Sequence, residues 1–231
     1  MPYRRLPNTD QARIRALRTA VEEGDRVGFL NMPYSYKLYN DASHLLEQME
    51  QALHSYHITL EQQVQSNKNY VKNLKTARLY ISHFIQVLGM CVQRNEIKKE
   101  VRSLYHLPEG FSVPDLGTES DVVTWGKNII EGEQNRVKNG GTPIFNPTIA
   151  KVKAFYDIFI ESKNSQKILQ NNTRRMTGNL DKLHESVDPL ILQIWNQVED
   201  SFKDLPADAK RESCQRFGVC YYFRKGEKDA K

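Results

Sequence analysis

Two Asp-x-x-His pairs are the residues in this sequence whose types and spacing come nearest to a metal-binding pattern. Asp41 with His44 forms one pair, and Asp181 with His184 forms the other. Di-metal carboxylate bundles use two Glu-x-x-His pairs and two further glutamates, all pointing inward. Here aspartate replaces glutamate, and neighbouring leucines occupy the apolar side of each helix. We therefore expect both pairs to face solvent, and a di-metal carboxylate enzyme is only the second alternative function.

Other motifs of catalysis or cofactor binding are missing from the sequence. The phosphate loop G-x-x-x-x-G-K-[ST], the dinucleotide turn G-x-G-x-x-G and the nucleophile elbow G-x-S-x-G do not occur. Gly140–Gly141 is better explained as the end of a helix than as a phosphate cradle. We therefore predict a protein that is not an enzyme, with no catalytic residue, no cofactor and no metal ligand.

Basic side chains are concentrated in two segments, which makes them candidates for contact with phosphate groups. The first 18 residues contain five arginines and one aspartate. Later in the chain, four cations follow one another at spacings of four, three and three, which places them on one side of a helix. Solvated helix faces show the same pattern as nucleic-acid contacts. The candidate residues are Arg4, Arg5, Arg13 and Arg15 in the first segment and Lys68, Lys72, Lys75 and Arg78 in the second.

Aromatic residues form a second set of candidate contacts. The chain has 11 Tyr, 9 Phe and 2 Trp, and Tyr-rich ends are used more often for core packing and protein contact than for base stacking. We predict interaction through Phe145, Tyr221, Tyr222 and Phe223. The candidate surfaces are therefore the basic arm Tyr3–Asp10, the loop Gly141–Pro147 and the tail Tyr221–Arg224.

The overall composition is that of a globular chain. It has 231 residues, a formal net charge of +5 and 39% hydrophobic residues, and its 12 Gly and 9 Pro exclude collagen-like and low-complexity classes. Three cysteines argue against a disulfide framework. No apolar stretch approaches the length of a membrane span, and no signal peptide is evident. We therefore expect a cytoplasmic protein that does not bind membranes.

Apolar residues at helical spacing predict two long helical regions. From Tyr34 to Leu88 there is no Gly or Pro, and apolar residues recur every three or four positions. The polar stretch Gln62–Asn69 interrupts this run, and base rates favour two helices over a very long one. We predict a hairpin or bend near Ser66, with one helix of about 55 residues, roughly 80 Å long, as the alternative.

The second long region extends from Thr148 to Phe202. Gly178 and Asp188–Pro189 are the expected interruptions, with Asp188 capping a last helix that Pro189 opens. The fold class is thus all-α, an elongated helical bundle with two long helical regions or hairpins and a short extended C-terminal tail.

The domain organisation follows from the same pattern. Residues 1–231 are expected to form a single helical domain. Residues 107–117, with two Pro and two Gly, mark a connector that would divide it into sub-units 1–106 and 118–231.

Three segments resemble an uncharacterised family of helical proteins from Bacteroidota. They are Tyr3–Asp10 (YRRLPNTD), Gly140–Lys151 (GGTPIFNPTIAK) and Phe217–Lys225 (FGVCYYFRK). The resemblance implies a helical bundle and a bacterial or phage-related origin, and it brings no catalytic residues.

These observations favour a non-catalytic helical bundle that interacts with other macromolecules or has a structural role. The expected partner is a protein, which includes a second copy of the chain, since a long helix with one apolar stripe needs a partner face. The alternative is a nucleic-acid or ribosome-associated protein that binds through its basic helix faces.

Overall fold

The computed structural model describes residues 2–108, 110 and 112–224. Within these residues the regular secondary structure is helical, apart from one two-stranded ribbon. The predicted all-α fold class is confirmed. The strands are β1 (Tyr3–Arg4) and β2 (Tyr221–Tyr222), and the helices are α1 (Asp10–Val27), α2 (Tyr36–Gln93), α3 (Glu119–Lys138), α4 (Ile149–Ser201) and α5 (Ala207–Arg216), with short 3-10 helices at Phe29–Asn31 and Lys99–Tyr105. None of the helices within the described residues is both long and apolar enough to cross a membrane.

Helix α2 is continuous over 58 residues. The predicted hairpin near Ser66 is therefore wrong, and the alternative of one long helix is correct. The stretch Gln62–Asn69 is polar, but Gln, Ser, Asn and Lys cost a helix only a few tenths of a kcal/mol each and none of them breaks it. The apolar side also stays in phase through this stretch, so the helix has no reason to end there.

Helix α4 is continuous as well, over 53 residues. The expected interruptions at Gly178 and at Asp188–Pro189 are wrong, because both lie inside the helix. Pro189 removes one backbone N–H from the helical ladder, but its ring lies on the exposed side of the helix, away from the core. Asp188 does not cap a new helix, and its carboxylate is used elsewhere, as described below.

The chain divides into two compact units. Unit 1 combines the residues up to 60 with those from 172 onward, and unit 2 consists of residues 61–171. Each unit contains a part of α2 and a part of α4. The sequence-based sub-units 1–106 and 118–231 would divide the chain elsewhere, since residues 107–117 lie inside unit 2.

Unit 1 packs α1 and α5 with its parts of α2 and α4 around one apolar core. Leu17, Met49 and Trp195 are among its most deeply buried side chains. Thr9 caps the start of helix α1, since its side chain accepts a hydrogen bond from the Ala12 backbone N–H.

Unit 2 packs α3 with its parts of α2 and α4 around a second core, in which Phe84, Ile129 and Phe159 are fully buried. Helix α3 begins with a capping box whose residue types, Thr and Asp three positions apart, are visible in the sequence. The Thr118 hydroxyl accepts from the Asp121 N–H, and the Asp121 carboxylate accepts from the Thr118 N–H.

The C-terminal tail forms the short extended element that the sequence predicts. Strand β2 pairs with β1 in antiparallel register, so Tyr3 lies opposite Tyr222 and Arg4 lies opposite Tyr221. The last basic residues of the sequence, Lys225, Lys228 and Lys231, lie outside the described residues.

Candidate functional site

Two of the four N-terminal candidate arginines hold the fold together. Arg4 donates from Nη1 to the Glu199 carboxylate at 2.9 Å and to the Asn196 side-chain oxygen at 2.8 Å. Tyr221 donates to the other carboxylate oxygen of Glu199 at 2.5 Å. Both strands of the ribbon are thereby fastened to the same acidic side chain on α4.

Arg13 makes a bidentate ion pair with Asp188. Its Nε and Nη2 donate to the two carboxylate oxygens at 2.7 and 2.9 Å. This hydrogen bond, the largest effect, raises the pKa of Arg13 above its usual value. Planar guanidinium and carboxylate groups match in this geometry, so Arg13 joins α1 to α4 and its guanidinium is already engaged.

The two Asp-x-x-His pairs differ in their contacts, and they do not form a metal site within the described residues. His184 lies 2.5 Å from the carboxylate of Asp10 on α1, whereas Asp41 and His44 are exposed. Among the described residues, no group of three or more His, Cys, Asp or Glu side chains is arranged to hold a metal ion. The geometry therefore gives the di-metal alternative no support.

Arg5 and Arg15 line one cleft of unit 1. The cleft has a volume of about 670 Å³ and lies between the N-terminal segment, α1 and the residues that follow α5. The Arg5 guanidinium carbon lies 5.5 Å from the centre of the Tyr222 ring, a cation–π distance. Unlike Arg4 and Arg13, neither Arg5 nor Arg15 forms an ion pair with a residue that the structure describes.

The cleft also contains a thiol. Cys220 lines it and is free. Burial raises the pKa of the Cys220 thiol, and the positive charge of Arg15 opposes that rise. The Cys220 thiol is exposed and, with its pKa raised, is protonated near neutral pH.

Three lysines of the second basic segment form an exposed stripe on α2, within unit 2. Lys68, Lys72 and Lys75 are exposed, and none of their ammonium groups makes an ion pair with any residue in the described part of the chain. Arg78 differs, because it is half-buried and donates to the Gly117 carbonyl oxygen at 2.9 Å. The structure therefore keeps three of the four cations available to a partner and directs the fourth towards the start of α3.

The loop Gly141–Pro147 is positioned by a buried ion pair that sequence analysis missed. Glu133 is fully buried and accepts from Arg136 at two oxygens, both at 2.8 Å. The same carboxylate accepts from the Tyr105 hydroxyl at 2.5 Å and from the Ile144 backbone N–H at 3.1 Å. Arg136 donates in addition to the Thr142 carbonyl oxygen at 2.7 Å. In sequence, Glu133 and Arg136 look like an ordinary surface pair at i,i+3 spacing.

Phe145 stands at the tip of that loop. Its neighbour Ile144 is buried, whereas Phe145 itself is 76% exposed. The buried network fixes the backbone on the Ile144 side, so the loop presents Phe145 outward on an ordered base.

The aromatic tail is only partly exposed. Phe217 and Val219 are buried, Tyr221 is half-buried, and Tyr222 and Phe223 are exposed. Gly218 allows the close crossing over α1: it has φ +86°, and a Cβ there would lie 2.9 Å from the Ala16 carbonyl oxygen.

The most exposed apolar cluster is one that sequence analysis did not select. Between α1 and α2, Phe29 is 63% exposed and Leu30 is completely exposed. Tyr36 is exposed and packs edge-on against Phe29, with ring centres 4.8 Å apart, and stacks on Tyr39 at 5.9 Å. We call Phe29, Leu30, Tyr36 and Tyr39 the aromatic patch. The available signal was the apolar pair placed in a turn between Gly28 and Pro33, where polar residues are usual.

No protein-family model, curated protein or solved structure matches this chain, so its function has to be inferred from the geometry described above.

Proposed function

We propose that this protein is a cytoplasmic, non-catalytic binding protein, and that it holds a partner protein through the aromatic patch. The complete exposure of Leu30 beside Phe29 carries this proposal. Contiguous exposed apolar side chains are characteristic of interaction sites. Removing each such side chain from water contributes about 2 kcal/mol.

The patch is organised before a partner arrives. Phe29, Tyr36 and Tyr39 contact one another through their rings, and the Tyr39 hydroxyl donates to Asp25 at 2.5 Å. Aromatic side chains have few rotatable bonds, and ordering them in advance lowers the entropy cost of binding. These features are typical of the residues that dominate interface energies.

The test replaces the two most exposed members, in the double variant Phe29→Ser with Leu30→Ser. Partners are captured from nuclease-treated lysate, identified by mass spectrometry, purified and titrated against each variant. We expect the affinity of the purified partner to fall roughly thirtyfold for each of the two side chains, about a thousandfold in the double variant, since about 2 kcal/mol is lost per side chain. Helix content should not change, because neither residue is buried.

Leu79→Ser is the matched control, because Leu79 is 66% exposed but stands on α2 in unit 2. It should leave the affinity unchanged. Equal losses in both variants, or no loss in the double variant, would contradict the proposal. A second copy of the chain as partner would appear as concentration-dependent sedimentation of the purified protein that the double variant abolishes.

A second candidate function is binding of a nucleic acid through the lysine stripe. No Asp or Glu occurs from Gln62 to Asn95, and residues 61–171 contain 15 Lys and Arg against 11 Asp and Glu. Unit 2 therefore carries +4 (15 − 11) of the chain's formal net charge of +5. Exposed cations without acidic neighbours gain free energy by releasing counterions from phosphates.

This candidate predicts a measurable dependence on salt. The triple variant Lys68→Gln, Lys72→Gln and Lys75→Gln should reduce the slope of log affinity against log salt by about two, because each phosphate contact on a single strand contributes about 0.7. The probe is a single-stranded oligonucleotide with fluorescence anisotropy. Wild-type binding that is absent or insensitive to salt would reject the candidate without affecting the aromatic patch.

A further inference from the structure

The arginines of the first 27 residues differ in how their charges are neutralised. Four of the six form ion pairs with acidic side chains, namely Arg4, Arg13, Arg18 and Arg26. Arg5 and Arg15 are the other two, and both line the cleft of unit 1. The fold thus neutralises its N-terminal cations outside the cleft and leaves two inside it without an acidic partner among the described residues.

The wall of the cleft contains no opposing charge. Among the described residues that line it there is no Asp or Glu, so its two guanidinium groups give it a net positive charge. Guanidinium groups match the planar or tetrahedral oxygens of carboxylates and phosphates. An anionic ligand that contacted both guanidinium groups would gain favourable electrostatic energy from each of them.

The remainder of the cleft combines apolar and aromatic side chains with uncharged polar ones such as Asn8 and Gln215. Trp195, which is only 1% exposed, forms part of its wall together with Val219 and Tyr222. A volume of about 670 Å³ lies within the range of small-molecule sites, roughly 300–1,000 Å³. Such pockets bind an apolar body by burial and orient it with a few polar groups.

The backbone that carries the two cationic side chains is held in place. Arg5 stacks over the Tyr222 ring, and its backbone N–H donates to the Cys220 carbonyl oxygen at 3.0 Å. Arg15 stands on α1. Since the backbone at both positions is already fixed, binding has to order the two exposed side chains but not the chain that carries them.

We propose that this cleft binds a small organic anion, in which a carboxylate or phosphate group contacts Arg5 and Arg15 and an apolar or aromatic body lies against Trp195 and Tyr222. The site uses none of the residues of the aromatic patch. It therefore adds a function to the proposed protein binding and does not depend on it.

The first experiment compares two probes that share one apolar body. Anilinonaphthalene sulfonate carries the anion, and N-phenylnaphthylamine is its uncharged counterpart. We expect wild-type protein to bind the sulfonate at least about tenfold more tightly than the uncharged probe, which is the effect of a hydrogen-bonded charge. Arg15→Gln should remove that preference.

Arg18→Gln is the matched control, since Arg18 lies one turn further along α1 and pairs with Glu50 outside the cleft. It should keep the wild-type preference. Equal affinity for the two probes in wild-type protein would overturn the proposal. So would a preference that survives in the double variant Arg5→Gln with Arg15→Gln.

The second experiment locates the probe with an internal reference. The chain has 2 Trp, and only Trp195 lines the cleft, whereas Trp125 belongs to α3 in unit 2. In a titration of nitrogen-15-labelled protein with anilinonaphthalene sulfonate, the indole resonance of Trp195 should shift and that of Trp125 should not. Shifts of Trp125 alone, or equal shifts of both, would place the anion elsewhere and reject the site.

Discussion

The two units of this protein place their arginine–carboxylate ion pairs at different depths. Unit 2 encloses an ion pair in its core, with Glu133 fully buried and Arg136 6% exposed. Unit 1 keeps the corresponding pair near the surface, where the Asp188 side chain that binds Arg13 is 42% exposed. Burial, more than the number of hydrogen bonds, should decide how much each pair matters, because a buried charge that loses its partner cannot turn to water.

The largest effect is expected from Glu133→Ala. It leaves the Arg136 charge buried without its counterion and the Ile144 N–H without its acceptor. The free energy of unfolding should fall by about 3–5 kcal/mol, measured by urea denaturation with circular dichroism. The matched change in unit 1, Asp188→Ala, should cost about 1 kcal/mol or less, since Asp188 is half-exposed.

A double substitution distinguishes the net contribution of the Glu133–Arg136 ion pair to stability from the destabilisation caused by removing only one partner. The double variant Glu133→Leu with Arg136→Met removes both charges and should recover part of the stability lost in Glu133→Ala. If Glu133→Ala and Asp188→Ala cost the same, burial does not distinguish the two units.

Two glycines inside helices, Gly132 in unit 2 and Gly178 in unit 1, differ in how closely their surroundings are packed. A Cβ at Gly132 would lie 2.5 Å from the Tyr105 ring and 2.8 Å from the Leu104 carbonyl oxygen, whereas at Gly178 it would meet nothing within 4 Å. Gly132→Ala should therefore destabilise unit 2 by about 1–3 kcal/mol. Gly178→Ala should raise the free energy of unfolding by up to about 1 kcal/mol, which is the helix propensity of alanine over glycine.

The stabilities of the Gly132→Ala and Gly178→Ala variants are compared by thermal unfolding. The melting temperature should move down for Gly132→Ala and up for Gly178→Ala. An increase for both would mean that Tyr105 and its neighbours yield easily, and that the core of unit 2 is looser than the contacts around Glu133 imply.

Local signals in the sequence were enough to predict that the chain is helical, but not that its two long helices are continuous. Thr118 and Asp121 mark the start of α3 by their spacing alone, and apolar residues every three or four positions indicate both long helices. The effect of helix-breaking residues was overestimated, because Pro189 can remain inside a helix when its ring faces solvent. The lengths of α2 and α4 depend on pairing with other segments, which no local pattern contains.

Most of the contacts that define the candidate sites could not be predicted from the sequence. Arg13 and Asp188 are 175 positions apart, and nothing local tells Arg13 from Arg15, although one is neutralised and the other lines the cleft. Glu133 is another example, since its burial depends on Tyr105 and on the loop that folds over it. Sequence gives the types of the charged residues, and tertiary packing selects which of them stay available.

The smallest effect is expected for a half-exposed ion pair in unit 2, Lys163–Glu119, which can be compared with the pair Arg13–Asp188 in unit 1. On α3, the Glu119 carboxylate accepts from the Lys163 ammonium at 2.8 Å and from the Tyr70 hydroxyl. These bonds, that of Lys163 first, hold the pKa of Glu119 below its usual value. Burial, followed by the bond to Glu119, raises the pKa of Tyr70 to about 12.

A carboxyl group with a lowered pKa in the folded state stabilises the fold at neutral pH, and this contribution is lost as the pH falls through that lowered pKa. Glu119→Gln should therefore cost at most about 1 kcal/mol at neutral pH, and the difference from wild type should shrink as acid is added below about pH 4.5. Urea denaturation across this pH range measures it. Glu131→Gln on the same helix, where the pair with Lys127 spans 3.9 Å, is the control and should show a smaller difference. A Glu119→Gln difference that grows in acid would mean that this carboxylate is not stabilised by Lys163, and that exposure is a poor guide to the weight of an ion pair in unit 2.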